Sequence, residues 1–155
     1  MAEPPDHADV RILPPLLLLG SVALGLALQW LLPLRFGGGG LRVALGLVLI
    51  GAAGAAAGWT LVWMRRTHQD PDPRKPSPEL ILGGPFRWSR NPIYLGMALL
   101  QAGIGVAAGN GWLLLLLAPL VLVLRHNVIE REEEYLARKF GDSYAAYRAS
   151  VRRWL

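Results

Sequence analysis

Cysteine is absent from the chain, which excludes disulfides and thiolate metal sites outright. Charge is scarce as well. Only 17% of the residues are Asp, Glu, Lys or Arg, against 53% hydrophobic, a balance less polar than that of soluble domains. The scarcity is concentrated: no charged residue occurs from Ile12 to Leu34, from Val43 to Met64, or from Asn91 to Leu124. A helix crossing the hydrocarbon core needs about 20 mostly apolar residues, so the first two stretches each suit one span. The third, of 34 residues, would measure roughly 50 Å as one helix, too long for a single crossing. Gly109-Asn110-Gly111 divides it and predicts a tight hairpin of two short helices. With no charge inside any of these four spans, an ion- or proton-coupled transporter is poorly supported. The first stretch exceeds a signal-peptide core and comes after Glu3, Asp6 and Asp9 with only Arg11 as a base; it reads as a membrane helix.

The bases that do occur are placed asymmetrically. Of the 16, Arg65, Arg66, Arg74, Lys75, Arg87 and Arg90 lie between the second and third stretches. Arg125, Arg131, Arg138, Lys139, Arg148, Arg152 and Arg153 come after the last one. The first loop has Arg35 and Arg42, and the hairpin tip has none. The positive-inside rule then places the Arg65–Arg90 loop and both chain ends in the cytoplasm. The net charge of +5 is therefore largely topological, and no nucleic-acid partner is implied.

The expected fold is all-α and integral to the membrane, with about four transmembrane helices and amphipathic helices at the cytoplasmic C-terminus. Residues 1–11 read as a disordered cytoplasmic segment and 12–64 as two spans joined by the flexible turn Phe36 to Gly40. Residues 65–92 read as a cytoplasmic loop, proline-rich from His68 to Pro78. Residues 93–127 form the hairpin, and 128–155 the C-terminal helices, with a helix stop at Gly141 and Asp142 or Ser143 capping the next turn. The small residues Gly51 to Gly58 in the second span permit close helix approach. They also offer a face for contacts between copies of the chain.

Two segments carry a resemblance. The first is Gly84-Pro85-Phe86-Arg87-Trp88-Ser89-Arg90-Asn91-Pro92-Ile93-Tyr94. The second runs from Glu132-Glu133 through Phe140-Gly141 and Tyr144-Ala145-Ala146-Tyr147 to Val151-Arg152-Arg153. In this order, flanking an apolar hairpin, they resemble the isoprenylcysteine carboxyl methyltransferase family and the related phospholipid N-methyltransferases. Asn91 stands where many members have histidine, and Phe86 where tyrosine is frequent. A basic residue of some members falls at Val128, so Arg125 or Arg131 would substitute for it.

The resemblance implies a membrane methyltransferase of bacterial inner-membrane type, using S-adenosyl-L-methionine at the cytoplasmic boundary. It assigns the cofactor to Leu80, Ile81, Gly84, Phe86, Asn91, Pro92, Tyr94, Glu132 and Glu133. Arg90 and Arg153 are the candidate catalytic residues, as forks for an anionic substrate group. Arg125, His126, Tyr144 and Tyr147 are the candidate substrate contacts. In-line methyl transfer needs alignment and exclusion of water but no metal. The implied partners are membrane lipids and a lipophilic or prenylated substrate. A carboxylate acceptor is expected first, and an amine of a phospholipid is the alternative. On the residues alone, the glutamate run also suits a solvated helix face. A membrane scaffold or transporter subunit, or a cofactor binder without turnover, stays open.

Overall fold

The computed structural model describes residues 6–155. Three helices among them are long and apolar enough to cross a membrane. The first is α1 (Pro14–Leu31), which opens on two prolines where missing backbone donors cost least. The second is α2 (Gly39–Arg66). The third is a rod starting at Gly111 and built from α4 (Gly111–Leu115), α5 (Leu117–Leu124), a π-turn at Arg125–Ile129, and α6 (Glu130–Ser150). Between α2 and the rod lies α3 (Pro92–Ala108), apolar but only 17 residues long. Leucines such as Leu19, Leu24, Leu45 and Leu47 stay exposed on α1 and α2, as lipid-facing residues must.

The hairpin turns where expected. Gly109 ends α3 in the left-handed region at φ 64°, the helix stop that glycine reaches without a Cβ penalty. Asn110 then caps α4 by accepting from Leu113 N at 3.2 Å, while its amide donates to Gly25 O on α1 at 3.2 Å. Arg42 donates to the carbonyls of Val106 and Ala107 in the last turn of α3 at 3.1 and 2.9 Å. The turn expected to be flexible is pinned at its start: Leu34 O accepts from Gly111 N at 2.8 Å, and Phe36 N donates to Gly109 O at 3.3 Å. Hydrogen bonds of this kind hold helices together where water is excluded.

Close approach of α2 and α3 uses glycines at seven-residue spacing. Gly46, Ala53 and Thr60 are the buried positions of α2, and Gly96 and Gly103 face them from α3. A Cβ on Gly103 would stand 2.9 Å from Gly46 O, so the backbones nearly touch. Gly51, Gly54 and Gly58 have no neighbour within 4 Å. Only part of the small-residue stretch is therefore used inside the chain.

The disorder expected through residue 11 is corrected for residues 6–10; Met1 to Pro5 lie outside the described residues. Ala8 and Val10 are buried against Leu124, Val128, Ile129 and Tyr135. Asp6 pairs with Lys139 at 2.6 Å and Asp9 with Arg131 at 3.2 Å. Two small apolar residues beside two carboxylates carry no local signal of order; the partners of the carboxylates lie over 120 residues away. The packing brings the amino-terminal segment to the same end of the bundle as α6.

Candidate active site

That end holds a pocket walled by both apolar and polar side chains, as small-molecule and cofactor sites are. Three sequence-distant regions meet there. The start of α3 is fixed by the short 3₁₀ turn Gly84–Arg87, whose glycine lies at φ 58° and lets the chain pass against the Trp63 indole. A Cβ on Gly83 would stand 2.7 Å from Trp63 Cζ2. Gly84 thus shapes the turn and does not line the pocket.

The C-terminal chain locks onto this turn. Tyr147 donates to Phe86 O at 2.7 Å. Arg90 N donates to Arg152 O at 3.0 Å. Ser89 Oγ and Asn91 Nδ2 both donate to Arg153 O, at 3.2 and 3.1 Å. Asn91 is therefore a clamp on the tail as well as a pocket residue. Gly141, at φ 49°, breaks the helical path inside α6, which turns the final helical stretch back so that Tyr144 and Tyr147 reach the pocket.

The paired glutamates occupy different environments. Glu133 is buried and accepts from Arg90 at 2.9 Å and from Arg153 at 3.0 and 2.6 Å. Burial pushes its carboxyl up, but the Arg153 hydrogen bond and the fields of Arg90 and Arg153 outweigh that and hold it below the ordinary value. Among the described residues no cation pairs with Glu132. It is enclosed by protein, reachable through the pocket, and accepts from the Tyr94 hydroxyl at 2.6 Å. Burial pushes it up to about 7; the Tyr94 hydrogen bond opposes this and the Glu133 charge adds to it.

Of the expected site residues, Leu80, Ile81 and Phe86 line the pocket beside Asn91, Pro92 and Tyr94. So do Arg90, Glu132, Glu133, Tyr144 and Tyr147. The structure redirects the two arginines. Arg90 also donates to Arg148 O and Val151 O at 3.0 and 3.1 Å, and Arg153 is absent from the lining; both are committed to Glu133. Arg125 and His126 do not come to the site. They pair with Glu130 at 3.0 and 2.8 Å on an exposed face, because the π-turn points its first residues outward and buries Val128 and Ile129.

Sequence reasoning missed Thr60 and Met64 of α2, Ala8, and Tyr135. The proline-rich loop His68–Pro78 borders the site. That loop supplies Gln69, Asp70, Asp72, Lys75 and Ser77 to the pocket wall. Asp70–Lys75 and Asp72–Arg74 pairs at 2.6 and 2.9 Å shape it. Tyr135 Oη fastens it, accepting from Ser77 N at 2.9 Å while donating to Asp6 at 3.1 Å. Replacing Tyr135 with Phe is expected to remove about 1 kcal/mol of this hold. Limited proteolysis would then cut residues 69–77 about fivefold faster; an unchanged rate would show the loop fastened elsewhere.

The residues present fit S-adenosyl-L-methionine. Leu80, Ile81 and Phe86 give apolar walls, Glu132 and the loop carboxylates give acceptors, and two buried polar atoms of the lining, Arg90 Nε and Gln69 Oε1, lack partners. Among the described residues no group of three or more His, Asp or Glu is arranged to hold a metal.

No solved structure matches the chain. Over 63 residues it is 40% identical to an uncharacterised protein of Haemophilus influenzae, a stretch that covers 41% of this chain and all of that protein. Residues 41–143, from the start of α2 through the π-turn to the kink in α6, match the phospholipid methyltransferase family. With helices fit to cross a membrane and a pocket lined mostly by residues of that matched region, the chain belongs to the phospholipid methyltransferase family of integral membrane methyltransferases.

Proposed function

We propose that this chain transfers a methyl group from S-adenosyl-L-methionine to the amine of a membrane lipid, at the cytoplasmic face of a bacterial inner membrane. The observation that carries the choice of acceptor is the commitment of Arg90 and Arg153 to Glu133. A carboxylate substrate of isoprenylcysteine type would need a free guanidinium fork. Both forks are taken, while Glu132 faces the pocket without a cation. Such a wall suits a group that carries or sheds a positive charge.

S-adenosyl-L-methionine supplies the methyl as an electrophile on a sulfonium sulfur. The protein's part is to hold, orient and keep water out. Leu80, Ile81 and Phe86 would receive the apolar ring, with Asn91 and the loop carboxylates offering polar contacts. The loop fastened by Tyr135 would exclude water. Four spans with both ends inside agree with the basic residues at the pocket end of the bundle.

Calorimetric binding of S-adenosyl-L-methionine and S-adenosylhomocysteine to detergent-purified protein tests this reading, together with methyl transfer to phosphatidylethanolamine and to farnesylcysteine. Saturable binding and transfer to the amine are expected. Transfer to farnesylcysteine alone would return the carboxylate reading, and no binding by folded protein would overturn methyl transfer altogether.

A further inference from the structure

The turn that fixes the start of α3 and the last helical stretch of α6 enclose a second, shallower groove. Leu82 and Arg87 line one side of it and Ser143 and Ser150 the other, with Tyr147 between. Tyr147 lines the main pocket as well, so one aromatic wall serves both. The groove lies at the membrane boundary. Arg87 ends the turn just ahead of α3, and that turn rests on Trp63 in the last turn of α2. At this level Trp88 is 71% and Leu82 53% exposed, and tryptophan at such a boundary meets lipid headgroups. The bases nearby differ in their commitments. Arg131, Lys139 and Arg153 pair with Asp9, Asp6 and Glu133. Among the described residues no carboxylate pairs with Arg87 or Arg152, and both are exposed. Arg152 is held beside the turn because its carbonyl accepts from Arg90 N at 3.0 Å, while Arg153 turns inward to Glu133.

We infer that this groove is a docking site for an anionic phospholipid headgroup, separate from the lipid that is methylated. Charge and polarity match an occupant with a phosphate at one end and hydrocarbon at the other. Arg87 and Arg152 offer guanidinium groups to the phosphate, and the Ser143 hydroxyl adds a donor on the groove wall. Leu82 and Trp88 lie exposed beside them, where the first acyl carbons run. A soluble anion would use the arginines and leave that apolar pair in water; a lipid uses both. The bound headgroup bridges the turn and the final helical stretch, which the Tyr147 hydroxyl already joins by donating to Phe86 O at 2.7 Å. The lipid is thereby a brace on the wall that groove and active site share, and the anionic content of the leaflet sets how firmly that wall is held. Each arginine near an anionic leaflet is worth about fivefold in affinity, so the two together give about 25-fold.

The test uses the full chain without cofactor, so it stands apart from methyl transfer. Native mass spectrometry of detergent-purified protein weighs retained phosphatidylglycerol against phosphatidylcholine. Hydrogen exchange in nanodiscs of either lipid follows residues 142–151. Wild type is compared with Arg87→Gln/Arg152→Gln, with the charge-keeping Arg87→Lys/Arg152→Lys, and with Arg65→Gln/Arg66→Gln. The last removes two exposed bases at the end of α2, outside the groove. Wild type should prefer phosphatidylglycerol by about 25-fold, and exchange at 142–151 should slow about tenfold in that lipid. Arg87→Gln/Arg152→Gln should lose both effects. The lysine pair should keep the preference within about threefold, because charge carries most of it, and Arg65→Gln/Arg66→Gln should match wild type. Equal losses in the groove and α2 variants would reduce the preference to general charge and overturn the site. A lysine pair that fails as the glutamine pair does would show a structural defect and overturn it as well. Displacement of the lipid by inorganic phosphate would give the arginines to a soluble anion instead, and wild type without any preference would end the proposal.

Discussion

Glu133→Gln is expected to destabilise the pocket end of the protein by about 3–5 kcal/mol, the usual cost of removing one partner from a buried ion pair. The carboxylate carries two guanidinium groups, with the Arg90 and Glu133 side chains each only 9% exposed. Glutamine keeps the shape but leaves Arg90 as an uncompensated charge and Arg153 with only Glu130, at 3.5 Å. Arg90 also joins the start of α3 to Arg148 O and Val151 O, so its displacement would loosen the C-terminal helix along with the turn. Thermal unfolding and hydrogen exchange of residues 142–154 would read the loss. The native carboxyl lies below its ordinary value, so its contribution is full above the unfolded value and disappears as pH falls through the folded one. The difference between wild type and variant should therefore shrink in acid. A Tm unchanged at pH 7 would show that the network is solvated and structurally idle.

One residue earlier the sign reverses. Glu132→Gln is expected to raise the Tm at pH 8, because the native protein holds an unpaired carboxylate there in a poorly solvated place. A carboxyl raised from 4.5 to about 7 amounts to about 3 kcal/mol at 1.36 per unit; water reaching it through the pocket reduces this to about 2 kcal/mol. For a raised carboxyl the sign runs opposite to Glu133: stability is full below the unfolded value and is lost as pH rises through about 7. The variant's advantage should be small at pH 5 and largest above pH 7. Melting curves at both pH values check it, and equal Tm values at pH 8 would show that Glu132 is freely hydrated. A residue whose removal stabilises a protein is a residue kept for another reason.

The sequence made the hairpin legible, because its signal is local: an uncharged run too long for one helix, with a glycine where a left-handed residue is needed. The break in α6 at Gly141 was legible on the same ground. Eleven of the expected site residues do meet in one pocket, since Phe86 to Tyr94 and Glu132 to Tyr147 begin and end elements at one end of the bundle. Partnerships could not be read. Nothing near Arg90 in the chain shows that its guanidinium is claimed by a glutamate 43 residues away. Nothing in Asp6 to Val10 announces a match to α6. Arg125 and His126 looked close to the site because they sit at the end of an apolar run, yet their direction depends on a π-turn. That turn is a packing outcome, and its residues have no distinctive composition.

The π-turn at Arg125–Ile129 also has a bearing on how the chain can vary in length. Consecutive residues of a helix are offset by about 100°, so one residue more or fewer there would swing all of α6 around the rod's axis. Glu132 would leave Tyr94, and Glu133 would leave both arginines, with every side chain intact. The five residues act as a phase setting between a part of the rod chosen for lipid and a part chosen for chemistry. Substitutions on the exposed side of that stretch would leave this phase unchanged, whereas its residue count is set by the angle at which the pocket needs its acids.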